Sequence, residues 1–114
     1  MNGKLYLITR DDFRRGTQAA QLVHGMASFA REYPETFLEW ERTTNTIVCL
    51  SVANEKTLID LLQKAETLSQ ETESGLAISI FQEPDFNNQI TCVVLEPTDA
   101  FQNLCKGIPL ALSA

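Results

Sequence analysis

Two short apolar runs, residues 4–9 and residues 47–52, are separated by segments patterned as helix. An extended run, a helical crossover and a second extended run favour parallel pairing with a right-handed connection. That arrangement points to the α/β class before any other feature is weighed. The first run is apolar enough to lie in the middle of a sheet. The run at 47–52 reads as a second buried strand.

The remaining elements follow from capping and periodicity. After a polar loop at residues 10–15, Gly16 and Thr17 can serve a helix entry, and the helix is expected from Gln18 to Arg31. Ala19, Val23, Met26 and Ala30 recur at helical spacing and predict one buried stripe. Pro34 suits the first turn of a second helix over residues 34–43, with Glu35 at its positive end. Asn54 is a good N-cap for a third helix over 55–69, whose apolar face is Leu58, Leu61, Leu62, Ala65 and Leu68. Strands are expected at 76–81 and 90–95, joined as an antiparallel hairpin by a loop at 82–89 rich in turn residues. A short helix at 98–105 and an apolar tail at 108–112, read as an edge strand, close the chain. The order is β-α-α-β-α-β-β-α. It predicts an α/β fold, a three-layer α/β/α sandwich around a four-stranded mixed sheet, in a single domain spanning 1–114.

Charge and composition narrow the function. No apolar run approaches the ~18–20 residues of a membrane span, so no membrane partner is expected. The residues at the start lack a signal-peptide core. The cysteines Cys49, Cys92 and Cys105 are odd in number, widely spaced and without a CxxC, which favours free thiols in a reducing cytoplasm. A net charge of −6 argues against a general nucleic-acid binder. Yet residues 1–31 hold five basic side chains and two acidic ones, against four basic and thirteen acidic in the rest. A local anion site on an acidic body fits that distribution.

Two loops, 10–17 and 82–89, leave strand carboxyl ends, where open α/β sheets tend to bind ligands. If strands one and three are parallel neighbours, these loops meet. The first offers Arg14, Arg15 and the free N–H groups of a helix start as an anion cradle. The second offers Glu83 and Asp85, either of which could act as a base or position a water. His24, the only histidine, lies about two turns into the first helix and reads as a packed core or interface residue. Gln21 shares its face. No Walker-type or dinucleotide glycine motif is present, and no metal site or cofactor is expected. The nine aromatics fall at predicted core positions, so no base-stacking platform is expected.

The stretch Ala19-Ala20-Gln21-Leu22-Val23-His24 resembles the first-helix signature of the type-two peptidyl-tRNA hydrolases, roughly Lys-Gly-Lys-x-Ala-Ala-Gln-x-x-His-Ala. Further segments are similar in order: residues 54–62 to the family's Asp-Glu-x-x-Leu helix, 78–83 to the strand with its acidic site residue, 91–97 to its Thr-x-Leu-x-Ile-Gly-Pro strand, and 104–112 to its closing segment. The resemblance implies an α/β/α sandwich, often a homodimer. It implies hydrolysis of the ester joining a peptide to tRNA, with no metal or cofactor. It places contact with the tRNA end near the start of the first helix. It also shows departures. The lysine before Ala-Ala-Gln falls on Thr17, while the one before the glycine falls on Arg15. The acidic residue falls on Glu83, where the family usually has Asp, and the segment after it is shorter.

Three readings follow, the last of them a self-associating domain whose function lies outside the visible features of the sequence. In the first, the chain hydrolyses a peptidyl or aminoacyl ester of tRNA. Glu83 or Asp85 orients water, Thr17 hydrogen-bonds the substrate, and Arg14 and Arg15, with Gln21, hold it. In the second, the chain is a catalytically silent module that binds a small anion, an RNA end or a protein partner.

Overall fold

The computed structural model describes residues 3–113. Its elements are β1 (Leu5–Arg10), α1 (Arg15–Glu32), α2 (Pro34–Arg42), β2 (Ile47–Val52), α3 (Glu55–Gln70), β3 (Ile78–Glu83), β4 (Gln89–Leu95) and α4 (Asp99–Leu104). A single 3-10 turn, Pro84–Phe86, joins β3 to β4. This is the expected order. The sheet runs β2-β1-β4-β3, with β1 parallel to β2 and antiparallel to β4, and β3 antiparallel to β4.

Alternation along the strands divides the core into two layers. Tyr6, Ile8, Leu50, Val52, Val93 and Leu95 face α3 and α4, where Leu58, Leu61, Leu62, Ala65 and Phe101 meet them. Leu5, Leu7, Cys92 and Val94 face α1 and α2, against Leu22, Phe29 and Trp40. Helices therefore cover both faces. β1 is buried along its whole length, as a central strand must be. β2 is buried only in its second half, because it borders the sheet and Ile47 stands at its open end.

Caps explain several boundaries. Asn54 Oδ1 accepts from the Thr57 N–H at 2.9 Å, and the Thr98 side chain caps α4 in the same way. Pro34 opens α2, whose Trp40 is buried and donates from Nε1 to the Thr46 carbonyl at 3.0 Å.

Several expectations are corrected. α1 begins at Arg15, not Gln18, and neither Gly16 nor Thr17 caps it; Arg14 stands at the cap with no side-chain bond. Ala19 and Val23 are exposed, the latter 68%. The buried face is instead Gln18, Gln21, Leu22, Gly25, Ser28 and Phe29. Four of these six residues are polar or glycine, which is why hydrophobic spacing pointed to the wrong side. β3 starts two residues later than expected and runs on to Glu83, so the loop after it shrinks to the 3-10 turn and two left-handed residues, Asn87 and Asn88. The tail makes one bridge, Leu50 to Leu110, with Ser51 and Ala111 N–H groups donating to Pro109 and Cys49 carbonyls, rather than a strand.

β1 and β3 are parallel in direction but not neighbours, since β4 lies between them. Their carboxyl ends still lie at the same edge, so the loops after them meet.

Candidate functional site

Gly25 sets how closely α1 lies on the sheet. A Cβ there would collide with the Cys92 side chain and stand 3.1 Å from Val94 Cγ2. This close approach brings the start of α1 over the ends of β3 and β4. At that end the β3–β4 register shifts, with Phe81 opposite Cys92 and Gln82 opposite Ile90, leaving Thr91 as an extra residue. The bulge breaks the alternation of β4. Ile90 packs in the α3 layer and Cys92 in the α1 layer, while Thr91, next to Cys92, also turns to α1. Bulges recur beside functional sites because they re-aim a side chain in this way.

From Thr91 a buried chain of hydrogen bonds runs to Glu83. The Thr9 hydroxyl donates to the Thr91 carbonyl at 2.8 Å. The Thr91 hydroxyl donates to Gln21 Oε1 at 2.6 Å, and Gln21 Nε2 donates to Glu83 Oε1 at 3.0 Å. Thr9, Thr91 and Gln21 are all buried. The second carboxylate oxygen of Glu83 accepts the Asp85 N–H at 3.4 Å. The Gln21 hydrogen bond is the main cause that holds the Glu83 carboxyl below the usual range, opposed by partial desolvation and aided by the Asp85 N–H and by His24. The carboxylate is thus ionised at neutral pH and pinned at both oxygens.

The other expected residues fall around it. Thr17 lies one turn before Gln21 on the same helix face and is half-buried. Arg14 and Arg15 are exposed at the head of α1, and their side chains have no partner among the described residues. The first turn of α1 holds no acidic side chain, so its N–H groups remain open to an anion. Asp85 joins through its backbone N–H only, and its carboxylate is exposed without a hydrogen-bond partner among the described residues. His24 is exposed, not packed in the core. It lies flat on Phe81, with centroids 4.4 Å apart and planes 6° apart.

Four residues not singled out in the sequence support the site. Arg10 is nearly buried and makes a two-pronged ion pair with Asp12, Nη2 to Oδ2 at 2.7 Å, while Nη1 donates to Gln89 Oε1 at 2.8 Å. It staples the loop after β1 to the start of β4. Gln18 donates to the Phe13 carbonyl at 2.8 Å and accepts the Leu112 N–H at 3.3 Å, tying that loop to the tail. Phe13 and Phe86 stack across the two loops, so the aromatics are not confined to the core. An arginine ending a strand and a glutamine on a helix were readable, but nothing local marks their partners.

The thiols are poorly suited to nucleophilic work. Burial pushes all three up, Cys105 to about 12, and Cys92 lies wholly inside the sheet. Among the described residues no group of three or more His, Cys, Asp or Glu side chains could hold a metal ion. No helix among them is long and apolar enough to cross a membrane.

Known proteins resemble this chain in sequence. A family profile described as "Peptidyl-tRNA hydrolase PTH2" matches residues 3–106. Among curated proteins, "Peptidyl-tRNA hydrolase 2, mitochondrial" of Bos taurus is 33% identical over 86 residues. That match covers 70% of this chain and 45% of the relative, so the chain spans under half of the relative's length.

Proposed function

Because the chain belongs to the type-two peptidyl-tRNA hydrolase family, we propose that it hydrolyses the ester between a peptide and the terminal ribose of tRNA, with Glu83 as the central group. The observation that carries this reading is the pinned, ionised Glu83 carboxylate, which is bonded to Gln21, one helical turn after Thr17 on a helix whose start has no side-chain cap. Glu83 orients a water at the ester carbonyl and shares its proton as the oxygen attacks. The carbon–oxygen bond to ribose then breaks, and the proton passes to the ribose oxygen. A free carboxylic acid and a tRNA hydroxyl result. Its low pKa makes Glu83 a weak base, so its main contribution is orientation of the water. Arg14 and Arg15 hold phosphate. The Thr17 hydroxyl and the first-turn N–H groups of α1 face the charge that develops on the carbonyl oxygen.

A second reading, a silent module binding an RNA end or another anion, is favoured by Thr17, which stands where the family carries a lysine. Turnover of peptidyl-tRNA by the wild type and by Thr17→Lys separates the two. The hydrolase reading expects measurable release of peptide by the wild type and a gain of roughly tenfold or more on restoring the cation, since one preorganised donor is worth ~10²–10³ in rate. No release by either protein contradicts it and leaves the binding module.

A further inference from the structure

The loops that frame Glu83 meet through two aromatic rings that belong to neither core layer. Phe13 precedes Arg14 and Arg15, and Phe86 ends the 3-10 turn that follows Glu83. Their rings stack with centroids 5.2 Å apart and planes 26° apart. The Arg10 guanidinium lies on the Phe13 ring, 4.4 Å from its centroid. Arg10 and Phe86 both lie against the Phe13 ring, whereas Phe86 has Phe13 as its one ring contact among the described residues. Both rings are only half-buried.

The setting is selective. Single-stranded RNA ends are recognised by an aromatic face for the base and by cations or N–H groups for the adjoining phosphate. Here the aromatic pair, two arginines without partners and the uncapped first turn of α1 come from residues 13–17 and 86. Elsewhere the surface is acidic: apart from Glu83 and Asp85 in this corner, the residues after position 31 include eleven acidic and four basic side chains. An extended RNA stem would be repelled by that body, whereas a terminal nucleotide needs only this corner.

We propose that Phe86, backed by Phe13, is the stacking platform for the terminal nucleobase of an RNA substrate and fixes which end of the molecule reaches Glu83. This rests on the hydrolase reading above. The platform is rigid on its inner side, because Arg10 is itself held by Asp12 and Gln89.

The test uses the full chain and the trinucleotide C-C-2-aminopurine, whose terminal base loses fluorescence when stacked. Wild type is expected to bind and quench it. Phe86→Leu should weaken binding by roughly tenfold and remove the quench, in line with the usual worth of one base–aromatic stack. Phe86→Trp should restore both, which separates lost stacking from a disturbed loop. With peptidyl-tRNA, Phe86→Leu should raise KM and leave kcat nearly unchanged. Wild-type affinity and quench in Phe86→Leu, or no binding by the wild type, overturns the proposal. If the wild type hydrolyses peptidyl-tRNA but Phe86 affects neither binding nor quench, the stacking proposal falls and the hydrolase reading stands. If it binds and quenches but does not hydrolyse, the hydrolase reading falls and the platform stands as an RNA-binding site.

Discussion

A primary amide can face a carboxylate with its oxygen or its nitrogen, and Gln21 is left one choice. Thr91 donates to its oxygen, so its nitrogen points to Glu83. The Thr91 carbonyl is in turn held by Thr9. The hydrogen bond favours the charged form of Glu83 and lowers its pKa. Removing it in Gln21→Leu should raise that pKa toward the ordinary value for Glu. The acid limb of kcat/KM, where activity is lost as pH falls through the carboxyl pKa, should then move to higher pH in Gln21→Leu. A pH–rate profile measures it, and an unmoved limb would show that Glu83 does not control the limb. The same linkage makes the folded state lose stability as pH falls through the lowered Glu83 pKa. Gln21 and Glu83 could both be picked from the sequence, but their contact could not. It joins residues 62 apart and needs the bulge that turns Thr91 inward. Thr17, read as part of the helix entry, lies inside α1 one turn before Gln21.

Among the elements, α1 and the β3–β4 hairpin determine the site, and they were the hardest to read. α3 follows the ordinary rule, with an Asn54 cap and a leucine-rich buried face, and both were visible in the sequence. α1 does not. It buries Gln18, Gln21 and Ser28, so its inner face is partly polar and its hydrophobic periodicity misleads. Gly25 is the key to its packing, since even a methyl group would meet Cys92 and Val94. Gly25→Ala should therefore destabilise the protein by about 1–3 kcal/mol through overpacking, outweighing the better helix propensity of alanine. Urea unfolding checks this, and a stability equal to or above wild type would mean that α1 is not seated as described. The hairpin was misread in a different way. Pro84, Asp85, Asn87 and Asn88 signalled a loop, but a 3-10 turn followed by two left-handed asparagines makes a tighter connection than turn-residue content alone suggests.

For the molecule as a whole, the parallel crossover and the helices on both faces follow from the spacing of apolar runs, because burying two sheet faces requires that layering. The charge asymmetry was also legible, and the structure puts Arg14 and Arg15 at the head of α1, with Lys4 before β1 and Arg31 in the last turn of α1. The aromatic pair was not legible, since a phenylalanine in a loop looks the same in sequence whether it fills a core or lines a surface. The tail binds Gln18 and β2, and through Gln18 it supports the loop after β1. The central prediction is that the Glu83 carboxylate orients the water that cleaves a peptidyl-tRNA ester. The direct measurement is peptide release from peptidyl-tRNA at neutral pH by wild type and Glu83→Gln, which keeps the shape and an acceptor for Gln21 but removes the charge. A fall in kcat/KM of roughly 10²–10⁴, the usual worth of such a group, is the predicted result; release by Glu83→Gln at the wild-type rate would contradict it.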